Sequence, residues 1–208
     1  MLVSDYVGCK DFPCRDVKHA SYAVPAVAVD PDQVSIILIS EAAPGDPNDH
    51  YYAGGQSLFE QTTVMAFQDA GVNVSSIQEI LALGVYLTTA VKCGKTGYGI
   101  ESGTVKTCSH LLEQELALFP KARVLLLMGD VAIKAINAIA RRAGEGRVIP
   151  AGATYKLRGG DYFFRGKRVL PSYLQAGPSF FIERTKRTAI AEDIATALKL
   201  ADLHLHLL

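Results

Sequence analysis

The chain has 208 residues, and its 21 Lys and Arg are balanced by 21 Asp and Glu, so the formal net charge is zero. Apolar residues make up 49% and charged residues 20%, which is typical of a globular chain and excludes a disordered or fibrous one. The neutral total also excludes a uniformly basic coat for nucleic acid, and we expect a single domain over residues 1–208.

The zero net charge is an average over two unlike segments. Residues 30–91 contain eight acidic residues and no Lys or Arg. Residues 155–187 contain eight basic residues and only two acidic ones. Nucleic-acid binding is therefore not excluded, but it would depend on how folding arranges the basic segment.

The N-terminus lacks the basic-then-apolar pattern of a secretory signal, and no apolar run reaches the roughly eighteen residues of a membrane span. We therefore expect a cytoplasmic monomer with no membrane partner. In that reducing compartment Cys9, Cys14, Cys93 and Cys108 are poor candidates for disulfides. Their spacing leaves two alternatives open: thiolate ligands of a zinc ion or an iron–sulfur cluster, or four free cysteines.

The first half of the chain predicts two strands and a helix between them. Val34–Ile39 is a continuous β-branched and apolar run, which is typical of a buried parallel strand. A loop rich in Pro, Gly, Asp and Asn follows over Ser40–Gly55, and the helix is predicted over Gln56–Ala70. The second strand is predicted over Val85–Val91, and the loop after it over Lys92–Thr104.

The second half continues the alternation of helix and strand. The predicted elements are a helix over Val105–Phe119, a strand over Arg123–Met128, a helix from Asp130 to Arg142, short strands over Tyr162–Phe164 and Arg168–Leu170, and a helix over Arg184–Leu203 with His204 and His206 as surface residues. This alternation predicts an α/β fold with a parallel sheet covered on both faces. Ligands of such sheets bind at the carboxyl ends of the strands, where the loops 40–55 and 92–104 lie.

Several segments carry recognisable motifs at these loops. Ile37-Leu-Ile-Ser-Glu-Ala-Ala-Pro-Gly45 resembles a strand that runs into Gly-Glu-x-Pro-Gly, and Tyr51–Gly55 falls where Pro-Phe-Val-Gly is found. Tyr86-Leu-Thr-Thr-Ala-Val-Lys-Cys93 resembles Tyr-Ile-Thr-Asn-Val-Val-Lys-Cys. Further matches follow in the same order at 108–116, 124–129, 156–159 and 169–173. Together they resemble the uracil-DNA glycosylase superfamily, and within it the iron–sulfur-containing branch of bacteria and archaea.

The resemblance implies a three-layer α/β/α sandwich around a mostly parallel four-stranded sheet. It also implies a structural [4Fe–4S] cluster bound by Cys9, Cys14, Cys93 and Cys108, with zinc as the alternative. The first pair departs from the branch, which spaces these two ligands as Cys-x2-Cys, whereas the chain has Cys-x4-Cys.

The resemblance assigns Glu41 as the catalytic acid that orients or activates water or stabilises a cationic sugar. The alternative is an ordinary acid that caps a turn. One residue is inserted between Glu41 and the Pro44-Gly45 pair, so Asp46 and Asp49 are alternative carboxylates.

Four further positions correspond to the family's base pocket. Tyr52 takes the place of the aromatic that stacks on the extruded base, with Tyr51 beside it. Thr89 replaces an Asn whose amide offers a donor and an acceptor to a uracil edge, and Leu174 replaces a His that stabilises the leaving base. His50 is an alternative polar group in the first loop.

The segment after Leu174 matches the family's DNA-inserting loop, and it carries Phe180 and Phe181. The residues expected to bind DNA are Lys156, Arg158, Arg184, Lys186 and Arg187. We therefore expect a DNA glycosylase with an altered or weakened preference for uracil. The alternatives are an inactive DNA- or damaged-base-binding module on the same fold and an unrelated metal-dependent hydrolase.

Overall fold

The computed structural model describes residues 1–97 and 99–203, so His204 and His206 lie outside the described residues. The strands are Val17–Lys18 (β1), Ile36–Ala43 (β2), Val85–Lys95 (β3), Val124–Met128 (β4), Tyr162–Phe164 (β5) and Lys167–Ser172 (β6). No described helix is long and apolar enough to cross a membrane.

The strands form one six-stranded sheet in the order β1-β3-β2-β4-β6-β5. The four central strands are parallel, as predicted, but the sheet has six strands and not the four that were predicted. The two short edge strands pair antiparallel, β1 with the end of β3 and β5 with β6. β1 has only two residues and contains no apolar run, so the sequence did not predict it.

Helices cover both faces of this sheet. They span Leu58–Asp69 (α1), Ile77–Ala82 (α2), Ser102–Ala117 (α3), Asp130–Arg142 (α4), Thr154–Leu157 (α5), Ser179–Ile182 (α6) and Arg184–Leu200 (α7). One apolar core lies between the sheet and α3 and α4, and the other lies between the sheet and α1, α2 and α7. The fold is therefore the three-layer α/β/α sandwich expected from the sequence.

The central strands alternate between the two cores. On β2, Ile37 and Ile39 belong to the core under α3 and α4, whereas Ile36 and Leu38 belong to the opposite core. Both faces of the strand are buried in apolar core, which explains why its sequence is almost continuously apolar.

Local caps set the helix starts. Ser57 accepts a hydrogen bond from the Glu60 backbone N–H at 3.2 Å, so α1 begins at Leu58, two residues later than predicted. Ser76 caps α2 in the same way through Glu79. The prediction missed α2, because six residues are too few to show a helical period.

β2 and β3 both extend further than predicted. Their register shifts at their carboxyl ends, where Ala42 pairs with Val91 but Ala43 pairs with Gly94. Lys92 and Cys93 therefore lie in a bulge, which redirects side chains next to the site. The extension places Glu41 within β2 and not in the predicted loop.

Candidate active site

Glu41 lies near the carboxyl end of β2 with its side chain 15% exposed. Its Oε2 is 3.3 Å from Nζ of Lys95 on β3, and its Oε1 accepts the Val131 backbone N–H of α4 at 3.5 Å. An ammonium group and the positive end of the α4 dipole thus face the carboxylate. The sequence-based alternative, an ordinary acid that caps a turn, is also compatible with the Val131 contact, because Val131 lies in the first turn of α4.

The position of Glu41 depends on the absence of a side chain at residue 129. A Cβ on Gly129 would lie 2.7 Å from both Cγ and Oε1 of Glu41. Gly129 also has a φ of 99°, which is unfavourable for residues with a side chain. The turn from β4 into α4 therefore makes room for the carboxylate.

Asp46 and Asp49, the alternative carboxylates, have local structural contacts. Asp46 accepts the Asn48 backbone N–H at 2.9 Å, and Asp49 accepts the Leu58 N–H at 3.5 Å. These bonds are typical of turn and helix caps. Both acids lie in the loop after β2, whereas Glu41 lies on the strand itself, near its carboxyl end.

Tyr51 is fully buried and belongs to a hydrogen-bond network. Its hydroxyl bonds to Ser40 on β2 and accepts the Gln175 side-chain amide at 2.8 Å. Gln175, which follows β6, also donates to Thr63 of α1 at 3.3 Å. Burial raises the pKa of Tyr51 to about 12. The network joins β2, α1 and the segment after β6, so Tyr51 forms part of the site's wall.

Tyr52 lies against the open edge of β3. Its hydroxyl donates to the Leu87 carbonyl at 3.0 Å and accepts the Leu87 N–H at 3.2 Å. Among the described residues, β1 pairs with Gly94 and Lys95 of β3, so the Tyr52 hydroxyl bonds to the β3 backbone at Leu87, where β1 does not reach. Burial raises the pKa of Tyr52 as well. The structure places the ring beside the site, and its stacking role stays a prediction.

Thr89 and His50 are buried polar residues near the same edge. Thr89 pairs with Ser40 in the sheet and is 1% exposed. Its Oγ1 and the Nε2 of His50 have no hydrogen-bond partner among the described residues. Burial, assisted by the Lys92 ammonium, lowers the pKa of His50 to about 4, so its ring is neutral at pH 7. Unpaired buried polar atoms are rare, and a bound ligand would give them partners.

Leu174 and the segment after it lie at the end of β6. Leu174 is half-buried against the core beneath α7 and offers no hydrogen bond. Of the aromatic pair that follows, Phe180 is buried, whereas Phe181 is 48% exposed and Ile182 on the same short helix is 78% exposed. The segment thus presents two apolar side chains to solvent beside the exposed Arg184.

The basic segment 155–187 is largely neutralised. Five of its eight basic residues form ion pairs, namely Arg158, Arg165, Arg168, Lys186 and Arg187. Arg158 is the most constrained, because it binds Asp193 at 2.8 Å and the Ala189 carbonyl at 2.8 Å. Of the residues predicted to bind DNA, Lys156 and Arg184 have no ion pair among the described residues and are exposed.

The four cysteines line one cavity of about 360 Å³. Cys9 and Cys14 come from the N-terminal segment, Cys93 from the bulge of β3, and Cys108 from α3. The Lys92 backbone N–H donates to Cys108 Sγ at 3.2 Å, a contact that suits a thiolate. Burial and the neighbouring cysteines raise the pKa of Cys93 to about 12, so a bound cation would have to displace its proton.

Two contacts bring the N-terminal pair to the other two cysteines. β1 pairs Val17 with Lys95, just beyond Cys93. Asp16 accepts the Glu101 backbone N–H at 2.7 Å and a hydrogen bond from Thr104, both at the start of α3. The segment carrying Cys9 and Cys14 is thus fixed against both elements. No three His, Cys, Asp or Glu side chains of the described residues are close enough to hold a single metal ion.

A buried ion pair lies between β3 and α3, where sequence reasoning expected mainly apolar core. Lys92 and Glu115 are completely buried and form a salt bridge. Glu115 also accepts from Tyr86 at 2.6 Å and Thr88 at 2.8 Å, and Lys92 donates to the Thr89 carbonyl at 2.7 Å. The Lys92 contact holds the backbone carbonyl of Thr89, the residue whose side-chain hydroxyl has no partner among the described residues.

Sequence reasoning missed Gln175, Lys95 and the burial of Lys92. Gln175 stands next to Leu174 in the motif, but nothing in the sequence shows that its amide reaches β2 and α1. The pairing of Lys92 with Glu115 could have been suspected from the sequence, because charged residues within apolar patterns are almost never fully buried unless they are paired.

Comparison with known proteins identifies the relatives of this chain. The family model of the uracil DNA glycosylase superfamily matches residues 27–194. A type-5 uracil-DNA glycosylase of Thermus thermophilus is 30% identical over 120 residues, which cover 58% of this chain and 52% of the relative. The match thus spans about half the length of that curated protein.

Proposed function

Because the chain belongs to the uracil-DNA glycosylase superfamily, we propose that it is a DNA base-excision glycosylase with an altered or weakened preference for uracil. The observation that carries this proposal is the carboxyl edge of the sheet. Glu41 lies there near the end of β2, and Thr89 lies on the adjacent strand β3. The side chains of Thr89 and of His50, in the loop after β2, each have an unpaired polar atom among the described residues. A polar ligand at this edge would supply their missing partners.

Glu41 would act on water. In the proposed reaction, water attacks C1′ of the sugar, the N-glycosidic bond breaks, and the bonding electrons leave with the base. The Glu41 carboxylate orients the water and accepts its proton. Lys95 and the start of α4 keep the carboxylate in place from the opposite side.

Thr89 and His50 would read the extruded base. A hydroxyl and a neutral imidazole can each donate and accept one hydrogen bond, which is a different pattern from that of an amide. Leu174 cannot stabilise charge on the leaving base, and losing one such donor in other enzymes lowers the rate on the order of 100-fold or more. We therefore propose slower excision of uracil, and a preference for bases that leave more readily or bind differently.

The exposed end of α6 would assist base extrusion. Phe181 and Ile182 form an apolar edge, and Arg184 stands beside it to contact phosphate. Apolar side chains inserted between base steps unstack them and bend the duplex. Lys156 is a second exposed cation available to DNA, whereas Arg158 and Arg187 already bind carboxylates.

The four cysteines fit a [4Fe–4S] cluster, which we propose they bind. Four cysteine side chains from three chain segments line one cavity, and such a cluster is held by four thiolates. When bound, the cluster would cross-link the N-terminal segment, β3 and α3. Visible absorbance with stoichiometric iron and sulfide after anaerobic purification would support the cluster, and a colourless protein with one zinc would contradict it.

Excision assays test the proposed function. Purified protein is incubated with single- and double-stranded oligonucleotides that carry uracil, hypoxanthine or xanthine, and alkali then cleaves abasic strands. We expect strand cleavage with at least one substrate, and its loss in Glu41→Gln, which keeps the size of the side chain. If no substrate is cleaved while DNA binding is retained, the catalytic proposal fails.

That outcome would favour the second candidate function, a catalytically inactive DNA- or damaged-base-binding module. One observation supports it. Leu174, at the position of the family's His, has no hydrogen-bond donor to offer to a leaving base. Binding to damaged DNA without cleavage would distinguish this module from an enzyme.

A further inference from the structure

A groove runs along the two helices α3 and α4 on one face of the sheet, and Leu157 of the basic segment 155–187 reaches only one end of its lining. It joins cavities of about 350 Å³ and 460 Å³ that share Lys106, Ala138 and Arg141 in their walls. We call it the α3–α4 groove, and its cationic lining is Lys106 of α3, Lys134, Arg141 and Arg142 of α4, and Arg147 in the loop after α4, with His110 of α3 beside them.

The charges of the α3–α4 groove are mostly uncompensated. Asp130 is its only acidic lining residue among those described, and it pairs with Lys134. Arg142 pairs with Glu113 outside the groove. Lys106, Arg141 and Arg147 are exposed and form no ion pair with any described residue. This contrasts with the basic segment 155–187, in which most cations already bind carboxylates.

The wall that carries Arg147 is fixed. The Asn137 side chain of α4 donates to the Ile149 carbonyl at 2.9 Å and accepts the backbone N–H groups of Val148 and Ile149 at 2.9 and 3.0 Å. Arg147 therefore starts from an anchored backbone, although its side chain is exposed. An anchored cation loses less conformational freedom when it binds an anion.

The spacing of the cations suits a strand of phosphates better than one phosphate. Lys134 and Arg141 are seven residues apart on α4, roughly 10 Å along the helix axis. The helix from Asp130 to Arg141 spans roughly 16 Å, which is about the rise of five nucleotides of a DNA strand. Separate cations along this length can each neutralise a successive phosphate.

The α3–α4 groove begins beside the candidate site. Asp130 lines it, and the next residue, Val131, donates its N–H to Glu41. We propose that this groove binds the sugar–phosphate backbone of the DNA strand outside the active site. The choice of DNA as the ligand rests on the proposed function, because the substrate of a DNA glycosylase is DNA.

DNA binding by the full-length protein tests the proposal without requiring catalysis. The probe is a fluorescent duplex of roughly two helical turns, measured by anisotropy over a range of salt concentrations. The test variant is Lys106→Ala/Arg141→Ala. The matched control, Lys121→Ala/Lys199→Ala, removes two exposed lysines outside the groove and the same net charge. Circular dichroism checks that both variants remain folded.

We expect Kd of the groove variant to rise about tenfold at low salt, and the slope of log K against log salt to fall by roughly 1.8 because two phosphate contacts are lost. The control should change Kd less than about twofold. Equal losses in both variants would indicate a general charge effect and overturn the proposal. If the groove variant still excises bases and its Kd for DNA is unchanged, DNA binding by the groove is overturned and the proposed function is not.

Two further arms separate the alternatives. If no protein excises any base but the groove variant alone binds DNA weakly, the proposed function fails and the groove stands. Inorganic pyrophosphate is added to the wild type as a small-anion probe. One result would overturn DNA binding and assign the groove to a small anion. Pyrophosphate would strongly stabilise the wild type against heat but not the groove variant, and the two proteins would bind DNA equally well.

Discussion

Thr89 and His50 carry the unusual chemistry of the site at the scale of single residues. Each has a buried polar atom without a partner among the described residues. Leaving such an atom unpaired costs about 1–3 kcal/mol. A ligand that completes their hydrogen bonds would recover this free energy.

Thr89→Asn tests the assignment of Thr89 to the base edge. The amide restores a donor and an acceptor, and one added hydrogen bond corresponds to roughly tenfold in rate. We expect faster excision of uracil relative to hypoxanthine under single-turnover conditions. Thr89→Val, which removes only the hydroxyl, is the control. An unchanged ratio of the two rates in a folded Thr89→Asn protein would remove this residue from base recognition.

His50 should make the fold sensitive to mild acid. Burial lowers its pKa to about 4 in the folded state, from 6.5. Between these values the unfolded chain binds more protons, so stability is complete above pH 6.5 and falls as the pH drops toward 4. His50→Phe keeps the ring beside Tyr51 and Tyr52 but does not titrate.

Urea unfolding at about pH 7 and about pH 4.5 measures this effect. We expect the wild type to lose roughly 2–3 kcal/mol more than His50→Phe between the two pH values, at about 1.4 kcal/mol for each pKa unit. Equal losses in the two proteins would show that His50 keeps an ordinary pKa in the folded state.

The bulge at the end of β3 is the element that joins the candidate site to the cysteine cavity. Lys92 and Cys93 lie within it, and their side chains reach Glu115 and the cavity. The Lys92–Glu115 pair has all its visible hydrogen bonds within β3 and α3. Its charges are thus satisfied only when these two elements pack correctly.

Breaking this pair should be costly. We expect Lys92→Met to lower the free energy of unfolding by about 3–5 kcal/mol, because it leaves the Glu115 carboxylate buried without its cation. The double variant Lys92→Met/Glu115→Leu should recover much of that loss. Urea unfolding of the three proteins gives the values. A loss below about 1 kcal/mol in the single variant would contradict the buried charge pair.

Long apolar runs made most of the elements predictable. Val34–Ile39 and Arg123–Met128 are strands, with ends shifted by a few residues. Short elements such as β1 and α2 were missed, since two and six residues carry too little periodicity. The extension of β2 through Glu41 was also missed, because Ser-Glu-Ala-Ala followed by Pro and Gly is typical of a loop.

The site was predictable in its location but not in its contacts. Parallel strands place their carboxyl ends together, so the sequence places Glu41 and Thr89 at one edge of the sheet, and the structure has them on the adjacent strands β2 and β3. The network of Tyr51 with Gln175 depends on packing between elements distant in sequence, which no local pattern encodes. The meeting of the four cysteines in one cavity followed from the family resemblance, since their spacing alone left free thiols equally open.

Charge is distributed over the whole molecule differently from the order of the sequence. The segment with the largest basic excess forms ion pairs with acids from other elements, including Asp69 and Asp193. Several uncompensated cations lie instead along α3 and α4. A zero net charge therefore coexists with a local basic surface, and at higher salt this surface would lose affinity for phosphates.

In the proposed reaction Glu41 catalyses excision of a base at the carboxyl edge of the sheet. Single-turnover excision by wild type and Glu41→Gln, with DNA affinity measured in parallel, is the decisive measurement. We expect the rate to fall on the order of 100-fold or more in Glu41→Gln while Kd for DNA changes little. Equal excision rates in the two proteins, or no excision by the wild type on any modified base despite tight DNA binding, would contradict it.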